Sequence, residues 1–179
     1  NNTLTTAEDT AKVLQASDFG FSDVDGDTLS QIKITTLETA GALQYFDGTN
    51  WVDVTLNQVI TKADIDGGKL RFNPAANQSG SPYTTFQFQV HDGTTYSASS
   101  YTITINVTAV NDAPNITAGN LSYTEGDGAT VIDASATAND SDGDADWDTN
   151  AKLEVQITAN NTASDQLAIK TGSGFSISS

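Results

Sequence analysis

Residues 102–108 read Thr-Ile-Thr-Ile-Asn-Val-Thr, a strict alternation of polar and apolar side chains. Successive side chains of a β-strand point to opposite faces, so this alternation places Ile103, Ile105 and Val107 on one buried face and the polar residues in water. Residues 86–90, Phe-Gln-Phe-Gln-Val, alternate in the same way. The two stretches predict half-buried strands and indicate a β-fold.

Similar short runs, rich in Thr, Val, Ile, Tyr and Phe, are separated by Asp-Gly turn signals. They predict strands over 2–7, 11–16, 29–37, 42–46, 51–55, 69–73, 83–91 and 100–109. One helical turn is predicted from Thr61 to Ile65, with Thr61 as its N-cap. Short strands without a sustained 3.6-residue period predict an all-β sandwich. We expect its core to contain Trp51, Phe72 and Phe86.

A connector follows the last strand, with the sequence Val110-Asn111-Asp112-Ala113-Pro114. Pro114 has no N–H to give to a ladder and forces the preceding residue into an extended conformation, so one sheet ends here. Asn111 and Asp112 place amide and carboxylate oxygens on this short, stiff segment. We interpret it as a linker between a first module, 1–112, and a partial second module, 113–179.

An internal repeat supports two modules. Glu8 precedes the run Asp23-Val24-Asp25-Gly26-Asp27 by the spacing at which Glu125 precedes Asp140-Ser141-Asp142-Gly143-Asp144. Leu4 and Leu121 keep the same offset, as expected for one repeated domain. In this register a complete second module would extend to about residue 228, so we expect it to be incomplete here.

Composition excludes several classes of function. The 179 residues carry 7 Lys and Arg against 23 Asp and Glu, a net charge of −16, which disfavours nucleic acid and anionic membranes as partners. There is no cysteine, so disulfides, thiolate zinc sites and thiol catalysis are excluded. No apolar run approaches the ~20 residues of a membrane helix, so direct membrane insertion is not expected.

The clustered carboxylates favour calcium, which takes about 6–8 oxygen ligands. Asp-x-Asp-Gly-Asp supplies alternate carboxylates on a turn where Gly lets the backbone bend. The loops are not EF-hands, because Thr28 and Ala145 stand where a Gly is needed and no Glu closes either loop. By itself the motif also fits an ordinary turn; its repetition on both sides of Asn-Asp-x-Pro favours a metal.

A Glu in the first strand, an Asp-x-Asp after the second and a closing Asn-Asp-x-Pro resemble cadherin repeats. The sequences Glu8-Asp9-Thr10, 23–27 and 110–114 most resemble those of the bacterial cadherin-like modules of giant RTX-type adhesins. The resemblance covers 1–114 well and 115–170 in part. It implies tandem Ig/cadherin-like Greek-key β-sandwiches in an extracellular, type I-secreted protein of the bacterial surface. Such modules act as calcium-stiffened extenders in cell adhesion and biofilm formation, and they partner neighbouring modules while other domains meet cell-surface or matrix ligands.

The resemblance also implies calcium ligands at three junctions. At the central junction it brings together Glu8, Asn111, Asp112, Asp140 and Asp142, with Asp144 as a further candidate. Asp23, Asp25, Asp27 and Asp92 would face an upstream junction, and Glu125 a downstream one. The animal pattern has a further acidic loop, whereas the corresponding 74–81 offers Asn77 and no Asp-Arg-Glu. Fewer ions per junction are therefore expected.

Other classes of function remain open at this stage. Catalysis is disfavoured because His91 is the sole histidine and no Gly-x-Ser-x-Gly occurs, although a glycosidase-like carboxylate pair fits so acidic a chain. A carbohydrate- or peptide-binding module would use exposed aromatic rings. The candidates for such a surface are Trp51, Tyr45, Tyr83, Tyr96 and Tyr101. A purely structural sandwich with acidic turns is the third alternative.

Overall fold

The computed structural model describes residues 1–112, 115–117 and 137–139. Their strands are β1 (Asn2–Ala7), β2 (Lys12–Val13), β3 (Gln31–Thr36), β4 (Ala42–Phe46), β5 (Trp51–Asp53), β6 (Val59–Thr61), β7 (Leu70–Asn73), β8 (Gly80–His91), β9 (Tyr101–Thr108), β10 (Asn115–Thr117) and β11 (Thr137–Asn139). One short helix, α1 (Lys62–Asp66), and a 3₁₀ helix, Ala16–Phe19, complete the described elements. The prediction of an all-β fold is confirmed.

Two sheets enclose one apolar core. The larger has the strand order β1-β9-β8-β3-β6 and the smaller has the order β2-β7-β4-β5. The strands pair antiparallel within both sheets, except that β1 runs parallel to β9. The burial predicted for the alternating stretches is confirmed: Ile103, Ile105 and Phe86 are at most 1% exposed. From the opposite sheet, Leu43, Leu70 and Phe72 enter the same core.

The helical turn is confirmed, with its cap. The Thr61 hydroxyl accepts the backbone N–H of Asp64 at 3.1 Å, which satisfies one of the donors left open at a helix start. The Asp64 carboxylate accepts from Lys69 Nζ at 2.8 Å and from the Thr61 hydroxyl at 2.7 Å. These hydrogen bonds, that of Lys69 foremost, hold the pKa of Asp64 below its ordinary value. Ile65 anchors the turn in the core.

The structure differs from the sequence predictions of local structure in three places. The strand predicted over 11–16 is only Lys12–Val13, because the chain then enters the 3₁₀ helix that buries Phe19 against Phe88. Strand β6 was not predicted, because its three residues offer too short an alternation. Trp51 is not a core residue: it is half-buried, and the guanidinium carbon of Arg71 lies 4.0 Å from its ring centre.

Gly41 is required by the packing of the smaller sheet. It has φ +68°, and a Cβ there would lie 2.5 Å from Cζ of Phe72 and 2.9 Å from the carbonyl oxygen of Asn73. We expect Gly41→Ala to lower the free energy of unfolding by about 2–4 kcal/mol, from left-handed strain and overpacking together. Urea unfolding followed by circular dichroism measures it.

Gly20 provides the matched control, because it has φ +54° and nothing within 4 Å of its would-be Cβ. Gly20→Ala should lower the free energy of unfolding only through left-handed backbone strain, by about 1–2 kcal/mol. Equal losses in the two variants would contradict the packing explanation for Gly41.

The strand register defines two ends of the two-sheet structure. Ala7 lies opposite Thr108 and Gly80 opposite Val107, so the turn 8–10, the loop 74–79 and the segment 109–112 share one end, here called the linker end. Gln31 lies opposite His91, and Phe88 opposite Tyr101. The loops 20–30 and 92–100 therefore share the other end, here called the cleft end.

The chain divides into two compact units, Asn1–Asp144 and Ala145–Ser179. In the first, β10 pairs antiparallel with β11, Asn115 opposite Asn139. The module boundary predicted after residue 112 stays a prediction, as does the incomplete second module, because most residues after Asp112 lie outside the described ranges. Among the described residues, no helix has the length and apolarity to cross a membrane.

Candidate functional site

Glu8 fixes the start of the connector at the linker end. It is one of two polar residues in the buried set of the described chain, at 4% exposure. Its N–H donates to the Thr108 carbonyl at 2.9 Å, and its Oε1 accepts the backbone N–H of Val110. A buried carboxylate needs such partners, because an unpaired charge away from water is costly. Glu8 thus ties the end of β1 to the backbone that leads into Asn111 and Asp112.

Three side chains meet beside this tie. Asn77 donates its backbone N–H to Oδ1 of Asp9 at 3.0 Å. With its amide NH₂ turned toward the carboxylates, Asn77 also donates to Oδ2 of Asp112 at 3.0 Å and to Oδ2 of Asp9 at 3.2 Å. Asp9 and Asn77 have φ +55° and +54°, left-handed conformations that Asp and Asn adopt more readily than most residues. The turn after β1, the loop before β8 and the connector are therefore joined by one amide.

Two carboxylates of this cluster lie close together. Because both contact the same Asn77 atom, the carboxylate oxygens of Asp9 and Asp112 lie within about 6 Å of each other, a separation at which like charges repel appreciably. The neutral amide supplies donors but no charge. Asp9 is exposed and Asp112 half-buried, so an ion from solution can reach the carboxylates.

The remaining ligands predicted for the central junction are placed differently. Asn111 is exposed, and its side-chain Nδ2 donates to the Asp112 carbonyl at 3.1 Å. Asp140, Asp142 and Asp144 lie outside the described residues, and so does Glu125. Of the predicted set, the described chain brings Glu8, Asn111 and Asp112 to one end, and it adds Asp9 and Asn77.

The other predicted group lies at the cleft end. Asp23 Oδ1 accepts the backbone N–H of Asp25 at 2.8 Å and that of Asp27 at 3.3 Å, which folds 23–27 into a tight turn around one carboxylate. Asp25 and Asp27 are exposed. Asp23 and Asp92 line the same surface cleft of about 370 Å³. The register therefore separates these carboxylates from Glu8 and Asp112 by the length of the sandwich.

Asp92 is held as an anion. Its Oδ1 accepts the backbone N–H groups of Thr94 at 2.6 Å and Thr95 at 2.7 Å. The hydrogen bonds from Thr95 and Thr94 stabilise the charged form and lower the pKa of Asp92 below its ordinary value. His91 next to it accepts the Gly93 N–H at Nδ1 (2.9 Å) and packs edge-on against Tyr96, so it belongs to the turn.

Within the described residues, no group of three or more His, Asp and Glu side chains is arranged to hold a metal ion. What the linker end offers is two carboxylates, Asp9 and Asp112, with an amide between them. Calcium would need more oxygens than these, which backbone carbonyls, water or a neighbouring acidic loop can supply. The arrangement can serve as part of a cation site.

The sequence predicted aromatic rings as well, and the structure separates them. Tyr96 and Tyr101 share the cleft with Phe21. Tyr83 packs edge-on against Phe72, with its hydroxyl at the loop 75–78. Trp51 lies with Phe46 and Arg71 on the smaller sheet. Of the five candidate rings, Tyr96 and Tyr101 share the cleft, and a carbohydrate- or peptide-binding role stays a prediction.

Comparison with known proteins adds no relative: no family model matches the chain, and no curated protein is significantly similar to it.

Sequence reasoning overlooked Asp9 and Asn77 as members of the cluster. Asp9 lies next to the predicted ligand Glu8, and Asn77 lies in the loop 74–81, which lacks the acidic pattern of cadherin repeats. The sequence feature that they share is local: Asp and Asn in turns adopt a left-handed φ more readily than most residues. Nothing in the sequence indicated that the two turns touch.

Proposed function

We propose that this chain is a calcium-binding structural extender of a large bacterial surface adhesin, without enzymatic activity. Its modules would be Ig/cadherin-like Greek-key sandwiches, and calcium would make the connector after Asp112 rigid. The observation that carries the proposal is the meeting of Asp9, Asn77 and Asp112 beside the buried Glu8, where the connector leaves the sandwich. The repeated acidic motif at 140–144 would supply the ligands of the following module.

The first step of the mechanism is charge neutralisation. Carboxylates within ~4–6 Å repel one another, each contact costing on the order of 1 kcal/mol or more at a partly solvated site. A divalent cation turns this repulsion into attraction among groups on separate segments. Because Glu8 already holds the backbone of Val110, an ion bound by Asp9 and Asp112 would fix a second point of the connector to the sandwich.

The second step concerns the Asn77 amide. Without a cation, its NH₂ group satisfies both carboxylates. Calcium accepts only oxygen ligands here, so binding would turn the amide by half a rotation and present its carbonyl oxygen. Three oxygens from three segments would then face one ion. An amide in this position would thus respond directly to calcium.

A calcium titration tests the proposal. Extracellular calcium modules bind calcium with a Kd of about 10⁻⁴–10⁻³ M, so we expect calorimetry to measure a dissociation constant in that range. Small-angle scattering should show a flexible connector at 110–114 in chelator and a more extended, rigid chain in millimolar calcium. Magnesium should be a weak substitute, since it dehydrates reluctantly and demands octahedral geometry. Equal rigidity with chelator and with calcium would refute the mechanism.

A further inference from the structure

The cleft end carries a second feature, independent of the linker end. A cleft of about 370 Å³ opens between the loop after the 3₁₀ helix and the β8–β9 hairpin. Its size falls within the range of small-molecule sites, about 300–1,000 Å³. Its lining includes Phe21, Ser22, Asp23, Asp92, Tyr96 and Tyr101.

One wall of the cleft is rigid. The hydroxyl of Tyr96 accepts from Gln31 Nε2 at 2.8 Å, Lys33 Nζ lies 4.3 Å from the ring centre, and the His91 ring packs at 4.5 Å. Because three neighbours hold Tyr96, a ligand entering the cleft meets a wall that is already ordered. Such preorganisation lowers the entropic cost of binding.

The carboxylates in the cleft are oriented as well. Two backbone N–H groups hold Oδ1 of Asp92, and two others hold Oδ1 of Asp23. Carboxylates fixed in this way are strong acceptors for hydroxyl donors. Within the part of the chain that the structure describes, the hydrogen-bond partners of both carboxylates are backbone amides.

Tyr101 supplies an accessible ring. It is 40% exposed and lies 6.1 Å from the buried Phe88 ring at a tilt of 41°. Its apolar neighbour Phe21 is half-buried. An exposed ring beside ordered acceptors is the combination that binds an amphipathic ligand, with an apolar face on the ring and polar groups on the carboxylates.

These observations select a class of ligand. Anions are disfavoured by the two carboxylates and the net charge of −16. An ammonium group would match the carboxylates, but it only donates and would make no use of the exposed hydroxyl donors of Ser22 and Thr95. A sugar hydroxyl both donates and accepts, and a pyranose ring has an apolar face. We propose that the Tyr101 cleft binds a neutral saccharide, with Asp23 and Asp92 accepting from its hydroxyls and Tyr101 stacking on its ring.

The experiment uses the full chain on an array of neutral, anionic and amino glycans, followed by calorimetry with the best neutral binder. Tyr101→Ala should weaken that binding about tenfold, the value of one stacking contact. Asp92→Asn, which removes the charge and keeps the shape, should weaken it by a similar factor. Tyr101→Leu keeps an apolar cover over Phe88, so a loss in this variant too would show that the ring, rather than folding, is needed.

Trp51→Ala is the matched control, because this aromatic residue lies on the smaller sheet beside Arg71, away from the cleft. It should bind as the unchanged chain does. The proposal is overturned if no neutral glycan binds, if amines or anionic glycans bind instead, or if Trp51→Ala abolishes binding while Tyr101→Ala does not.

Asp23 and Asp92 also belong to the acidic set predicted to face an upstream calcium junction, so binding is measured in calcium and in chelator. Saccharide binding in either condition that is lost in Tyr101→Ala supports the cleft, whatever calcium does at the linker end. A chain that binds calcium and stiffens but binds no glycan refutes this inference alone.

Discussion

Asp112→Ala is expected to raise the calcium dissociation constant of the connector by about a hundredfold or more. Even outer-shell partners of a metal cost about 10–100-fold when they are mutated, so the loss of a direct carboxylate ligand should cost at least that much. With a Kd starting near 10⁻⁴–10⁻³ M, the variant would take up little calcium at this site at about 1 mM, roughly a tenth of the sites or fewer. Calorimetry measures the uptake, and scattering the loss of stiffening.

Asp92→Ala is the matched control, because it removes one carboxylate from the opposite end of the same module. It should leave uptake at the connector unchanged, and both variants should keep the first sandwich folded by circular dichroism. Unchanged uptake in Asp112→Ala, with loss in Asp92→Ala, would place the ion at the cleft end and show that the ligands assigned to the connector are wrong.

Phe72→Ala is expected to lower the free energy of unfolding by about 3–5 kcal/mol, because it removes a fully buried ring from a packed core. The ring contacts the edge of Tyr83 and fills the space over Gly41. Neighbours on rigid strands cannot collapse fully into such a cavity. Urea unfolding followed by far-ultraviolet circular dichroism measures the change.

Trp51→Ala tests the same idea from the outside. Its half-buried ring contributes a stacking contact with Arg71 and some apolar burial, so a loss of only about 1–2 kcal/mol is expected. Trp51→Ala should therefore lower the free energy of unfolding less than Phe72→Ala does, although Trp is the larger residue. If Trp51→Ala destabilised the chain as much as Phe72→Ala, the assignment of Trp51 to the outer surface of the sheet would be wrong.

The calcium and saccharide proposals place different chemistry at the two ends of one module. The linker end has carboxylates on separate segments and a neutral amide between them, an arrangement that a cation would stabilise. The cleft end has carboxylates held by backbone N–H groups beside an exposed ring. An extender with a shallow sugar site along its length would combine reach with weak, repeated attachment.

The sequence alone determined the all-β class, the strands around Phe86 and Ile103, and the capped turn at Thr61, because each depends on a local pattern: alternation with period two, or a side chain that satisfies its own helix start. The grouping of Glu8 with Asp112 at one end was implied only by the resemblance to cadherin repeats, and the pairing of β1 with β9 in the structure places both residues at that end. Only the tertiary structure decided that Trp51 lies outside the core and that Asp9 meets Asn77. Those contacts join residues far apart in the chain, 68 positions in the second case, and they follow from how the turns pack at the end of the sandwich, which no local pattern records.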